Sequence, residues 1–288
     1  MSNNLDLLKQ LRDITGAGIL DCKKYLNRAE NNLDDAVKLM RSEEGIKADK
    51  KSSRIAAEGI ISFYLDNNKS LLIEINSETD FVARSKDFLS FVNEISSLII
   101  ESPYGNLNEL LESKDDSLSK RIEEIRKKSI TKLGENICIR RFILKDQPNN
   151  HVVGYTHNNK IGAMVVLKNN DEQLGKDICM QIVASNPLGL NEQSLNKDVL
   201  ANEKEIYKAE LDKINKKDDI KRNILDGKIK KFITENTLLN QPFIKDNTTT
   251  LKKIIKNNEI LEFCRYQLGE GIEKKEEDFA KEVYSQIK

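Results

Sequence analysis

The sequence predicts an α+β protein, and three observations carry that reading. Apolar residues near the N-terminus recur at helical spacing. Farther on, two β-prone runs flank an asparagine-rich turn, and the same order of strand, turn, strand and helix returns about 90 residues later. At 288 residues the chain has length for two or three cores, because a single core stops growing beyond roughly 250 residues.

Residues 5 to 42 read as a small helical unit. Leu7, Leu11 and Ile14 share one helix face, and "TGAG" at 15 to 18 breaks it with two glycines. Ile19, Cys22 and Leu26 mark a second helix. Asn31-Asn32 supplies a turn and an N-cap for a third, in which Ala36, Val37 and Met40 repeat the pattern. The stretch "KADKKSSR", 47 to 54, is charged without apolar period and reads as a linker. Strands follow: "GIISFYLD" and "SLLIEIN" around Asn67-Asn68-Lys69 predict a hairpin. Phe88, Val92, Ile95 and Ile99 then predict a helix capped by Ser85, and "ENICIRRFIL", with Ile137, Ile139 and Arg141 alternating, a closing strand.

The second copy runs "VVGYTH", Asn158-Asn159-Lys160, "IGAMVVLKN" and "GKDICMQIVAS", the last a helix opened by Lys176-Asp177, with "EILEFCRYQL" closing it. An insertion between Pro187 and Pro242 interrupts this copy. Tyr207, Leu211 and Ile214 form one stripe there and Leu225, Ile229 and Phe232 another, separated by "NKKDD". That pattern predicts an antiparallel helical hairpin projecting from the body, or two surface helices packed on the core; periodicity alone does not name the partner surface.

Composition narrows function. Lys plus Arg and Asp plus Glu are both 47, so no net field draws in nucleic acid or an anionic membrane. Cys22, Cys138, Cys179 and Cys264 make no C-x-x-C pair, which points to reduced thiols and a cytoplasmic setting. The N-terminus lacks a basic region followed by an apolar stretch, and no run approaches the ~18 apolar residues of a membrane helix. With only His151 and His157, a multi-histidine metal site is excluded. Near "LGEGIEKK" Lys274 stands where the third glycine of a G-x-G-x-x-G loop belongs. Around "LGKD", Asn170 and Asp177 break the Walker pattern. A binding protein, needing no metal or cofactor, fits these residues better than an enzyme.

"SETDFVARSKDF", 77 to 88, is the most pointed stretch. Phe81 follows the capping residues Thr79 and Asp80, so it reads either as a staple for the next helix or as an aromatic anchor held out for a partner.

The segments "LRDITGAGILDCKKYL" (11 to 26), "NSETDFVARSKDF" (76 to 88), "LGENICIRR" (133 to 141), "NQPFIKD" (240 to 246) and "GEGIEKKEEDFAKEV" (269 to 283) together resemble bacterial elongation factor Ts, in that family's order and across essentially the whole chain. The resemblance implies a guanine-nucleotide exchange factor of protein biosynthesis that binds elongation factor Tu, GDP-bound and nucleotide-free, without direct nucleic-acid or membrane binding. It implies a three-helix ubiquitin-associated-like domain (1–46), a linker (47–54), core subdomains N (55–145) and C (146–186 with 237–267), a coiled-coil hairpin for homodimerisation (187–236) and a C-terminal helical module (268–288). By position, Thr79, Asp80, Phe81 and Val82 would enter the partner's G domain beside its magnesium and phosphate site. Arg12, Ile19 and Leu20 would touch a helix of that domain, and His157 would face its third domain. Ile19 and Leu20 stand where many relatives have methionines, and Asn158 where relatives usually have glycine. A ubiquitin-associated-like adaptor would leave the duplicated core and "TDFVA" without a role, and an RNA-binding translation protein would call for a basic surface or aromatic stacking motif.

Overall fold

The computed structural model describes residues 7–8, 10–11, 19–51, 54–114 and 116–272. Its elements are α1 (Ile19–Arg28), α2 (Leu33–Lys51), β1 (Glu58–Asp66), β2 (Lys69–Ser77), α3 (Asp80–Ala83), α4 (Lys86–Ile100), α5 (Leu107–Leu111), α6 (Ser117–Leu133) and β3 (Ile137–Asp146). The chain continues with β4 (His151–His157), β5 (Ile161–Leu167), α7 (Glu172–Ser185), α8 (Lys197–Asp212), α9 (Asp218–Asn236), β6 (Pro242–Phe243), β7 (Asp246–Thr250), α10 (Leu251–Ile255) and β8 (Ile260–Gln267). Helices and antiparallel sheets make it the α+β fold the sequence predicts. Two compact units divide the chain: one holds the segment up to Ile60, Ile73–Ile143 and the chain from Leu268, the other Ile61–Leu72 and Leu144–Gln267. The division thus runs through the first hairpin, inside the stretch 55–145 that the sequence reads as one subdomain.

At the N-terminal end of the first unit, Cys22, Tyr25 and Leu26 of α1 and Ala36 and Met40 of α2, brought to one face by the helical period, form a buried cluster with Leu11 and Ala29. The Asn32 side chain accepts from Asp35 N at 3.2 Å, and Asp34 and Asp35 favour the positive end of α2. That helix runs on through residues 47 to 51, against the linker reading. Strong helix formers carry it without an apolar stripe, and at its end the Lys51 ammonium donates to Gly134 O at 2.8 Å on the helix α6 that α2 packs against.

Each sheet places its second strand in the middle, β1-β2-β3 and β4-β5-β8. Central strands lose polar/apolar alternation because both faces are covered: β2 is buried from Ser70 to Ser77 and β5 from Gly162 to Leu167. Each buried Leu, Ile or Val there contributes about 1.5–3 kcal/mol. In β3 burial shifts phase, with Ile137 inside at one end and Phe142 and Leu144 at the other, because Arg140 and Arg141 both turn to Glu74. Asn158 and Asn159 both have positive φ, 51° and 55°, as a two-residue hairpin turn requires, so asparagine serves where glycine is usual. At Gly154 in β4, a Cβ would lie 2.3 Å from the Phe63 ring, so only glycine admits that ring from the first hairpin.

In the second unit α7 packs on β4 and β5, and Val153, Ala163, Val165, Leu167, Ile178, Cys179 and Ile182 fill the core. Helix α7 begins before the Lys176-Asp177 start that the sequence suggests, because Asp171 caps it by accepting from Leu174 N at 2.9 Å. Helices α8 and α9 pack on each other as a hairpin, with Leu211 buried and Lys228 paired with Glu210 and lying over the Tyr207 ring. The hairpin's two feet hydrogen-bond: Leu188 N donates to Asn236 O and Leu238 N to Gly189 O, both at 2.9 Å. Beside them Gln241 Oε1 accepts from Ser185 Oγ (2.6 Å) and Gln181 Nε2 (3.1 Å).

Because its feet already meet, residues 191–235 are expected to be replaceable by a short Gly-Ser bridge without unfolding the second unit. A shorter loop costs less to close, ~0.6 kcal/mol per halving, so urea unfolding should show unchanged or slightly higher stability. A chain that no longer folds refutes this. In the N-terminal cluster, the Glu43 carboxylate accepts from Arg28 (2.6 Å) and Tyr25 Oη (2.9 Å), which hold its pKa down to about 2 from an ordinary 4.5. A depressed carboxylate stabilises above its unfolded pKa and loses that contribution as pH falls through the folded one. The protection factors of the α1 amides are therefore expected to fall between pH 4.5 and pH 2, and Glu43→Gln to flatten that dependence; an equally steep profile in the variant would exclude Glu43 as its source.

Candidate functional site

The TDFV turn lies where β2 ends and α4 has yet to begin. Thr79 is extended (φ −122°, ψ 157°) and its Oγ1 accepts from Val82 N at 3.3 Å, capping the single turn of α3. Asp80 in that first turn pairs with Arg84 at 2.8 Å. Ser85 then caps α4, accepting from Phe88 N at 3.2 Å as the sequence predicts. Ala83 and Phe88 are buried on either side, whereas the Phe81 side chain is 83% exposed. An aromatic so exposed staples no helix, so the packing alternative for Phe81 falls away.

A turn of four helical residues has little stability alone. Here it is held from the loop between α6 and β3. Helix α6 ends at Gly134, whose φ of 81° stops it in the left-handed region. The next residue, Glu135, accepts from Thr79 N at 3.0 Å through Oε2 and from Thr79 Oγ1 at 2.6 Å through Oε1. Reciprocally, Glu78 Oε1 accepts from Asn136 N at 2.6 Å, and Asn136 Nδ2 donates to Arg54 O at 2.8 Å. Sequence reasoning passed over Glu135, Glu78 and Asn136; the glycine followed by Glu-Asn within "LGENICIRR" was the available signal.

Arg12 lies outside the described residues; Ile19 and Leu20 open α1, with their side chains outside them. His157 belongs to the second unit, exposed at the end of β4, with Nδ1 3.1 Å from Tyr155 Oη.

Burial pushes the Cys179 thiol up to about 12, which keeps it protonated and unreactive at neutral pH. No group of three His, Cys, Asp or Glu side chains among the described residues is placed to hold a metal ion, and no helix among them is long and apolar enough to cross a membrane. A pocket of about 760 Å³ in the first unit is lined by Leu110, Leu111 and Ile122 together with the charged Lys120, Glu123 and Arg126.

The family profile described as Elongation factor TS matches residues 78–270. The chain is similar to the protein named Elongation factor Ts of Alkalilimnicola ehrlichii, 42% identical over 294 residues that cover all of this chain and 99% of the relative. It is likewise similar to the proteins of that name from Halorhodospira halophila (40% over 292 residues, all of this chain and 99% of the relative) and Francisella tularensis subsp. novicida (42% over 291 residues, all of both).

Truncating a ring this exposed should leave the fold alone. Phe81→Ala is expected to change unfolding free energy by less than about 0.5 kcal/mol, whereas Phe88→Ala, on a fully buried side chain, should cost about 3–5 kcal/mol. Comparable losses in thermal melts of the two variants would contradict the geometry described.

Proposed function

The chain belongs to the elongation factor Ts family of translation elongation factors, and on that premise we propose that it promotes GDP release from elongation factor Tu by binding alone. The observation that carries the proposal is Phe81, exposed at the tip of a turn whose other side is buried and clasped. An aromatic presented on a rigid support anchors an interface with little ordering cost. Asp80 and Phe81 enter the partner's G domain beside its magnesium and phosphate site, with Thr79 and Val82 holding the turn. Arg12, Ile19 and Leu20 extend that contact, and His157 meets the partner's third domain. Exposed Val199, Ile206 and Ile220 on α8 and α9 support a second role for the hairpin, as the contact between two copies.

The mechanism follows from linkage. A factor that binds nucleotide-free partner more tightly than GDP-bound partner must weaken GDP binding by the same ratio. Displacing the Mg²⁺ that neutralises phosphate charge raises the free energy of the GDP complex, and no bond is made or broken in the factor.

Stopped-flow release of a fluorescent GDP analogue from elongation factor Tu tests this. Phe81→Ala is expected to lower the maximal rate by about tenfold or more, each tenfold being about 1.4 kcal/mol. An unchanged rate would sink the reading. Dissociation constants for wild type and Phe81→Ala, with and without Mg²⁺ at fixed GDP, probe the route. Removing Mg²⁺ and truncating Phe81 should each weaken the antagonism between GDP and this protein, and together by less than the product of the two effects. Strict independence would place Phe81's contribution in uniform affinity instead.

A further inference from the structure

We propose that Glu135 is a positioning residue for Phe81: its carboxylate fixes the cap of α3 and thereby the direction in which the ring is presented. The inference rests on the exchange role proposed for Phe81 and adds a residue of a different segment, 54 positions farther along the chain, to the same device.

The argument starts from the Thr79 hydroxyl, which has one proton and two lone pairs. Its proton goes to Glu135 Oε1 at 2.6 Å, because an ionised carboxylate accepts only. With the rotor so fixed, a lone pair faces Val82 N at 3.3 Å and closes the turn that carries Phe81. The second carboxylate oxygen takes Thr79 N at 3.0 Å, so both ends of the capping residue hang on one side chain. These bonds are charge-assisted and half-buried, which makes them roughly twice as strong as neutral ones. Otherwise α3 is held by the buried Ala83, by Ser77 Oγ donating to Thr79 O at 2.9 Å and by the Asp80–Arg84 pair within the same segment, and none of these orients the Thr79 hydroxyl.

The second copy of the fold supplies a comparison. At the matching place, where the chain leaves β5 and enters β8, Asn169 N donates to Asn258 Oδ1 (3.0 Å), Asn258 Nδ2 to Asn169 O (3.0 Å) and Lys168 N to Glu259 O (3.0 Å). That clasp uses side-chain amides on the backbone, with an exposed Lys168–Glu259 ion pair at 3.2 Å beside them, and the chain passes straight to the cap of α7 with no short helix between. A carboxylate holding the backbone of a capping residue occurs where a side chain is held out, and amides hold the backbone where none is.

The test uses the full-length chain with 4-fluorophenylalanine at position 81 and three variants, Glu135→Gln, Glu135→Ala and Phe81→Ala, with the double variant Phe81→Ala/Glu135→Ala. Glutamine matches glutamate in size but puts an NH2 donor in place of one of the two accepting oxygens, so it disturbs the clasp and retains the fold if alanine does not. The fluorine resonance of Glu135→Gln is expected to broaden or split, without partner present, while the thermal melt of the remainder is retained. Its maximal GDP-release rate should fall about three- to tenfold, in keeping with the loss of one or two charge-assisted hydrogen bonds. In the double variant the rate should be no lower than in Phe81→Ala, because Glu135 acts through that ring. An unaltered fluorine signal, or losses that multiply in the double variant, would overturn the positioning role while the exchange role of Phe81 stands. A normal release rate for Phe81→Ala alone would overturn both.

Discussion

Within the first unit, one buried carboxylate holds three stretches of chain together. Glu74 sits in the middle of β2 with no exposure to solvent; its Oε1 accepts from Arg140 Nη1 and from Gly269 N, each at 2.8 Å, and its Oε2 from Arg141 Nε at 2.6 Å. Arg141 also pairs with Glu270 at 3.0 Å, and Arg140 Nη2 donates to Glu270 O. Burial pulls the Arg141 guanidinium down, but hydrogen bonds to Glu270 and Glu74 outweigh it and leave its pKa raised. A charge so placed is tolerable only while every partner is present: removing one side of a buried pair typically costs about 3–5 kcal/mol, although a well-packed apolar replacement of the whole set can be neutral. Its worth therefore lies in specifying an arrangement more than in net stability.

What it specifies reaches the exposed turn. Glu74 meets Arg140, and Glu78 meets Asn136, an equal step along β2 and β3 in opposite directions, as a single antiparallel register demands. A one-residue slip would move every side chain of β3 to the other face and carry Glu135 away from Thr79. The presentation of Phe81 thus depends on a polar contact buried several residues away, through the register of two strands and the clasp at their end. It also explains how an aromatic can stay exposed: the turn's anchorage comes from its backbone and its cap, so the ring is left out of the packing.

Local pattern made much of this architecture readable. The Asn-rich turns, the caps at Asn32 and Ser85, the period of Cys22, Leu26, Ala36 and Met40, and the duplicated strand order all follow from interactions spanning a few residues. Misreadings fell where a distant partner decides. The charged stretch after residue 46 is helical to Lys51, whose ammonium finds Gly134 83 positions away, and the alternation read into β3 breaks because Glu74 draws two adjacent arginines. Likewise the TDFV residues could be picked out as a motif, but Glu135 could not be joined to Thr79 without the fold, because nothing local pairs residues 56 positions apart.

Duplication gives a reason for the division of labour. Both copies need a clasp where the central strand ends, since the backbone groups there leave the ladder and must find partners. In the second copy asparagines meet that need and the core helix begins at once, on Asp171. The first copy meets it with Glu78 and Glu135, and the stronger, directional bonds support one extra helical turn between strand and helix. That added turn is the structural difference that puts an aromatic into solvent. Exposing Phe81 forgoes the burial that a core phenylalanine would contribute, and the clasp stabilises the turn by other means. A site of this kind can be tuned through its support, at Glu135 or Glu78, while the side chain that meets the partner stays the same.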